Sequence, residues 1–357
     1  MFLLQNYSIH IMLYKEYIKI KSLLIHKVGN KLNQDELIIS KSPIKLEGGL
    51  DKVLLEYFFS SLKVDELYQF HHDIELSFSE VHSCVSKIFE NPDNLYEQSI
   101  NLARHLYNQS THPKIKSGEF YIVYFKDCIL DGETLDAIGL FKSENKDTFI
   151  EIEQVKDGFD MESRQGININ KLDKGCLIFN TEKESGYVLS IIDNTNKGSE
   201  AQYWKDDFLS VQPKKNEYHQ TNQFLGIAKQ FVTKQLDEEF ELSKADKIDL
   251  LNRSVDYFKK HETFDQNEFE EEVFGESSVI ESFRKFDHTY RQENEVELSD
   301  NFAISEQAVK KQARVFKSVL KLDKNFHIYI HGNKELIEQG IDENGRKYYK
   351  IYYENEA

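Results

Sequence analysis

The sequence predicts an α+β protein: an antiparallel sheet domain with flanking helices, followed by a mostly helical region that closes in a basic helix and short strands. Three observations lead there. Short runs rich in β-branched and aromatic residues crowd residues 120–192, with links too brief for helical crossovers. After Gln212-Pro213, apolar residues recur at helical spacing. The 357 residues are 39% hydrophobic and include 25 Phe and 19 Tyr, which supplies two cores and excludes a disordered or fibrous class.

Residues 17–28 alternate, with Ile18, Ile20, Leu24 and Val28 on one face and Tyr17, Lys19, Lys21 and Lys27 on the other, as in a half-buried strand. DELIIS (35–40) reads as a short second strand, and Gly48-Gly49 precedes a helix over 50–62. Helices follow over 79–89 and 95–108, separated by the helix-breaking pair Asn91-Pro92. The runs at 120–129, 135–141, 149–155, 175–179 and 187–192 are the strands of the sheet. Residues 1–212 are thus expected to form the α+β domain and 213–357 the mostly helical one. In the latter, Phe224, Ile227, Ala228, Phe231 and Val232 share a helix face, and Ser243 with Asp246 starts another helix as a capping pair. Shorter helices are expected over 268–274 and 279–290.

Composition narrows the function classes. Cys84, Cys128 and Cys176 are far apart and odd in number, with no C-x-x-C pair, so they read as buried thiols in a reducing compartment. Residues 1–16 are apolar but lack a basic leader and a small-residue cleavage site, and no window reaches the ~20 apolar residues of a bilayer span. A cytoplasmic protein with an N-terminal extension is expected, and Met1 and Met12 are both candidate starts.

The formal net charge is −17, and residues 235–300 alone hold 20 acidic against 8 basic residues. Against that background AVKKQARVFKSVLKLDK (308–324) gathers six Lys or Arg and one Asp. As a helix it would place Lys310, Arg314, Lys317, Lys321 and Lys324 within roughly 80° of one another, beside a stripe of Val309, Ala313, Phe316 and Leu320. Such a ridge can replace the counterions condensed on a duplex. Cations also suit a helix C-terminus, or can neutralise the protein's own acidic helices. In RKYYKIYY (346–353), alternation puts Arg346, Tyr348, Lys350 and Tyr352 on one strand face, where rings can stack on bases and cations can meet phosphates. Lys19, Lys21 and Lys27 form a further basic face.

Catalytic signatures are scarce. There is no G-x-G-x-x-G, phosphate-loop G-K-[ST], G-x-S-x-G or H-E-x-x-H. His71-His72 and His82-x-Cys84 have no third ligand in sequence, and on a strand His327 and His331 stand about 13 Å apart. Glu151, Glu153 and Lys156 faintly suggest a metal-dependent nuclease, but the spacing departs from E-x-K, so no catalytic residue, metal or cofactor is assigned.

The chain resembles the bacterial nucleoid-associated protein family typified by NdpA. The likeness runs from SLLIHKV (22–28) through GLDKVLLEYF, GEFYIVYF, NINKLDKGCLIFN and AQYWKDDFL to SKADKIDLLNRSVDYF, FKSVLKLDKNFHIYIHG and ENGRKYYKIYY. No one of these motifs is highly specific; their order and spacing carry the resemblance. It implies association with the nucleoid and binding of DNA, duplex and also single-stranded, without carrying over catalytic residues. Two readings of the basic helix stand open. In one the protein is a non-enzymatic DNA binder; in the other the same helix docks an acidic partner or a second subunit.

Overall fold

The computed structural model describes residues 17–62, 66–130, 132–195, 203–240, 242–314, 316, 319–322, 325–330, 336–353 and 355, without the side chains of Asp237, Glu238 and Lys321. The N-terminal extension lies outside these residues, as do Lys317, Lys324 and His331. The chain divides into two compact units, Met1–Lys214 and Lys215–Ala357.

The first unit opens with β1 (Lys19–Val28), β2 (Leu37–Ile38) and α1 (Leu50–Phe59), followed by β3 (Leu67–Phe70), α2 (Glu80–Glu90) and α3 (Leu95–Gln109). Then come β4 (Gly118–Leu130), β5 (Glu133–Ser143), β6 (Asp147–Val155), β7 (Gly158–Gly166), β8 (Lys174–Phe179), β9 (Val188–Asp193) and β10 (Val211–Pro213). Eight strands make one sheet in the order β10-β3-β9-β8-β5-β4-β1-β2, antiparallel at every pairing. Helices cover both faces. Phe120, Ile122 and Tyr124 of β4 point into the core built with α2 and α3, while Tyr121, Val123 and Phe125 point into the core that holds Tyr57, Phe58 and Phe59 of α1. Burial on both sides is why β4 reads as an unbroken apolar run. The N-cap Ser79 accepts a hydrogen bond from the His82 N–H and fixes the start of α2.

β1 departs from simple alternation. Its register against β4 shifts between Ile20 and Ser22, so Lys21 is an extra, bulged residue. Ile18 and Ile20 therefore belong to the α1-side core and Leu24 and Val28 to the other, although the sequence assigns all four to one face. The same bulge separates Lys19 from Lys27, so the expected basic face of β1 is not a single surface. Lys19 is moreover paired with Asp127 at 2.8 Å.

The second unit contains α4 (Glu217–Gln230), a wider π-type turn over Phe231–Gln235, α5 (Leu236–Glu239) and α6 (Lys244–Lys260). β11 (Thr263–Asp265), α7 (Gln266–Val273), α8 (Ser277–Glu293), β12 (Asn301–Ala303) and α9 (Glu306–Ala313) follow, and then β13 (Val319–Leu322), β14 (Phe326–Tyr329), β15 (Ile337–Ile341) and β16 (Lys347–Ile351). The predicted capping pair is present: the Ser243 hydroxyl accepts from the Asp246 N–H and the Asp246 carboxylate accepts from the Ser243 N–H, both at 3.1 Å. The core is a cluster of phenylalanines. Phe264 lies 4.2 Å from Phe224, 4.6 Å from Phe302 and 5.3 Å from Phe258, measured between ring centroids.

Candidate nucleic-acid interface

The basic segment at 308–324 is not one helix. α9 ends at Ala313, and β13 pairs antiparallel with β14, with Leu320 opposite Ile328 and Lys321 opposite His327. The run VFKSVLKL fits both periods: Phe316 and Leu320 are four apart, whereas Leu320 and Leu322 alternate with Lys321. Tertiary pairing with FHIY decides for the strand. Most of the predicted apolar stripe is nevertheless buried, with Val309 and Phe316 in the phenylalanine core, Ala313 packed against it half-buried, and Leu320 in a smaller core with Ile248 and Ile330.

This geometry breaks up the five-residue ridge. Lys310 is in the last turn of α9, exposed and held 3.3 Å from Glu306 across one turn. Arg314 is the exposed C-cap residue and pairs with no described carboxylate. Both cations complement the negative end of the helix dipole. Lys321 is on β13, so it is not on the helical face assigned to it, and Lys317 and Lys324 lie outside the described residues.

Of the second predicted group, Tyr348 and Lys350 lie on one face of β16, with Arg346 and Tyr352 just beyond its two ends. β15 and β16 form a hairpin with Gly340 opposite Tyr348 and Glu338 opposite Lys350. The turn is built by Asp342, whose carboxylate accepts from the N–H groups of Asn344 at 2.9 Å and Arg346 at 2.7 Å. Gly345, at φ 77°, occupies the left-handed position such a turn requires. One face of the hairpin, with Ile337 and Tyr349, packs on the core of Ile248, Leu320 and Ile330. The other face turns Tyr348 and Lys350 to solvent, with Arg346 and Tyr352 at its two ends, all four exposed.

Two contacts set the rings on that face. Tyr348 lies over Gly340, where a Cβ would come within 2.5 Å of the ring. Lys350 Nζ sits 4.6 Å from the Tyr352 ring centroid and 3.6 Å from Glu338. Each ring thus has one side engaged within the chain.

Other charged clusters are occupied by their own partners. Lys142 and Lys174, opposite one another on β5 and β8, are both buried. Lys142 donates to the Lys116 carbonyl at 2.8 Å, Glu144 at 2.9 Å and the Tyr203 hydroxyl at 3.5 Å. Burial pulls its pKa below the usual lysine range, partly offset by Glu144. Lys174 donates to both Asp193 oxygens and to Thr195, each at 2.8 Å. With their hydrogens so used, these lysines hold the sheet together.

Among the described residues, His261, Glu268 and Glu272 form a cluster that the sequence reading missed. It joins a histidine at the end of α6 to carboxylates one turn apart on α7. The two imidazole nitrogens face different carboxylates, at 3.7 Å and 3.3 Å, with Tyr257 stacked on the ring. A cation would take only one of those nitrogens. Glu151 and Glu153 stand on the exposed β6–β7 hairpin, where Glu151 is paired with Arg164 at 2.8 Å. His71 pairs with Asp73 at 3.4 Å, and His82 and Cys84 are buried on α2.

A family model for nucleoid-associated protein YejK matches residues 24–346. No curated protein matches the chain at a significant level. The matched span starts inside β1, runs through both units and ends at Arg346, the residue before β16. With nearly the whole chain covered in this way, it belongs to the nucleoid-associated protein YejK family.

Proposed function

We propose that this nucleoid-associated chain binds DNA without catalysing a reaction on it. The cations at the end of α9 and the outer face of β16 make the contact. The observation that carries this reading is the exposed row of Arg346, Tyr348, Lys350 and Tyr352 on a hairpin anchored through its opposite face. Arg346 and Lys350, about 13 Å apart along the strand, can each meet a phosphate, and Tyr348 between them and Tyr352 beyond them offer a free ring side to unstacked bases. Lys310 and Arg314 add phosphate contacts that carry no sequence information. Such a surface takes duplex DNA by charge alone and single strands by charge plus stacking. In an otherwise acidic protein, positive charge has to be presented locally for DNA to approach. The predicted residues Lys317, Lys321 and Lys324 belong to the same basic segment and extend the proposed contact.

A second reading rests on a specific observation: Lys310 and Lys350 already pair with Glu306 and Glu338. Cations that accept carboxylates can equally dock an acidic protein surface. Titrating labelled duplex and single-stranded oligonucleotides with the wild type and with a Lys310→Ala, Arg314→Ala, Arg346→Ala, Lys350→Ala variant separates the two. DNA binding requires a loss of at least tenfold in a variant with a normal melting curve. Unchanged affinity transfers the surface to the protein-docking reading.

A further inference from the structure

Among the described residues the β6–β7 hairpin pairs with no other strand; one of its faces is uncharged, while the other mixes carboxylates with Phe149 and Val155. One carries Ile150, Ile152, Gln154, Phe159, Met161 and Ser163, with no ionisable side chain. Its four large apolar residues are strongly exposed, from 59% for Ile152 to 75% for Phe159. The other face sets Glu151 opposite Glu162 and Glu153 opposite Asp160, with Arg164 bridging Glu151 at 2.8 Å and Glu162 at 3.3 Å. Like charges facing across a ladder destabilise it. A lone two-stranded hairpin is marginal in water. Order here therefore calls for a cover on the apolar face.

We infer that this hairpin stacks face to face with the same hairpin of a second copy, through Ile150, Ile152, Phe159 and Met161, to give a reversible dimer of the whole chain. The charge pattern selects this occupant. Two identical apolar faces meet across a twofold axis without burying any charge. Stacked sheets lie about 10 Å apart, so the acidic faces point outward into solvent, where salt screens them over about 8 Å. DNA and anionic lipid are both repelled by the carboxylates on so thin a hairpin. The four apolar side chains offer on the order of 500 Å² per copy, so a pair just reaches the ~1,000 Å² needed for a specific interface. Such an area makes the dimer weak and dilution-sensitive.

Sedimentation velocity of the full chain over a wide concentration range tests this. The mass should rise from the 42.0 kDa of one chain towards twice that value at the highest concentrations. A variant with Ile152→Glu and Met161→Glu should stay monomeric with an unchanged circular dichroism spectrum. One with Glu153→Gln and Glu162→Gln, on the opposite face, should dimerise at least as well as the wild type. A wild type that stays monomeric throughout overturns the inference. So does a dimer that survives Ile152→Glu with Met161→Glu, or binding to neutral lipid vesicles that this variant abolishes while the wild type remains monomeric.

Discussion

Replacing Tyr348 by Ala probes the proposed binding face at its least ionic point. The ring covers Gly340 with one side and leaves 45% of the residue in water. Its removal from a solvent-facing strand should change fold stability by less than about 1 kcal/mol. A base stacked on its outer side would contribute ~1–3 kcal/mol, so single-stranded affinity should fall by roughly 5- to 150-fold. Duplex affinity, which keeps its bases stacked internally, should hardly move. Gly340→Ala is the companion change. It retains the ring but places a Cβ 2.5 Å from it, so Tyr348 must shift and single-strand binding should weaken while the phenol remains. Fluorescence anisotropy with a labelled oligonucleotide, at a salt concentration high enough to suppress phosphate contacts, reads both effects. Single-strand affinity within twofold of wild type in a folded Tyr348→Ala protein would remove stacking from the account.

Three further outcomes are expected. Burial lowers the pKa of His26 to about 4, so the unfolded chain binds the extra proton first as pH falls. That contribution is intact above about pH 6.5 and is lost as pH falls through 6.5 towards 4; the melting temperature should drop over this window, and less steeply in His26→Gln. Mg²⁺ or Mn²⁺ added to protein and DNA should leave the DNA intact on a gel. Cleavage that disappears in Glu153→Gln would instead install a nuclease on β6. Gly345→Ala forces a side chain into a left-handed turn position and should destabilise the β15–β16 hairpin by about 1 kcal/mol, seen as faster amide exchange in β16.

Much of the α+β fold was legible because burial and period agree locally. β4, β5 and β8 are buried on both faces and appear as apolar runs, and the Asn91-Pro92 break and the capping pair at Ser243 mark helix boundaries that the structure keeps. Readings failed where one residue or one distant pairing decides. The bulge at Lys21 exchanges the faces of β1, an insertion that alternation alone does not reveal. β7 went unread because its run GFDMESRQG is mostly polar, although Phe159 and Met161 alternate beyond an Asp-Gly turn. The long basic helix failed because VFKSVLKL is ambiguous in period and its strand partner lies beyond the next turn. Alternation in KYYKI places Tyr348 and Lys350 together because one face of the hairpin packs on the Ile248, Leu320 and Ile330 core and leaves the other in water. The His261 cluster draws on two helices, and spacing along the chain gave no reason to single it out.

Salt dependence tests the central claim most directly. With Lys310, Arg314, Arg346 and Lys350 each neutralising one phosphate, log affinity against log salt should have a slope of roughly −3.6 for duplex and −2.8 for single-stranded DNA. Each of Lys317, Lys321 and Lys324 that joins the contact should steepen the duplex slope by about 1. Residual single-strand binding should persist at high salt, where only stacking on Tyr348 and Tyr352 remains. A slope near zero for both DNA forms would contradict the account and leave the basic surface to a protein partner.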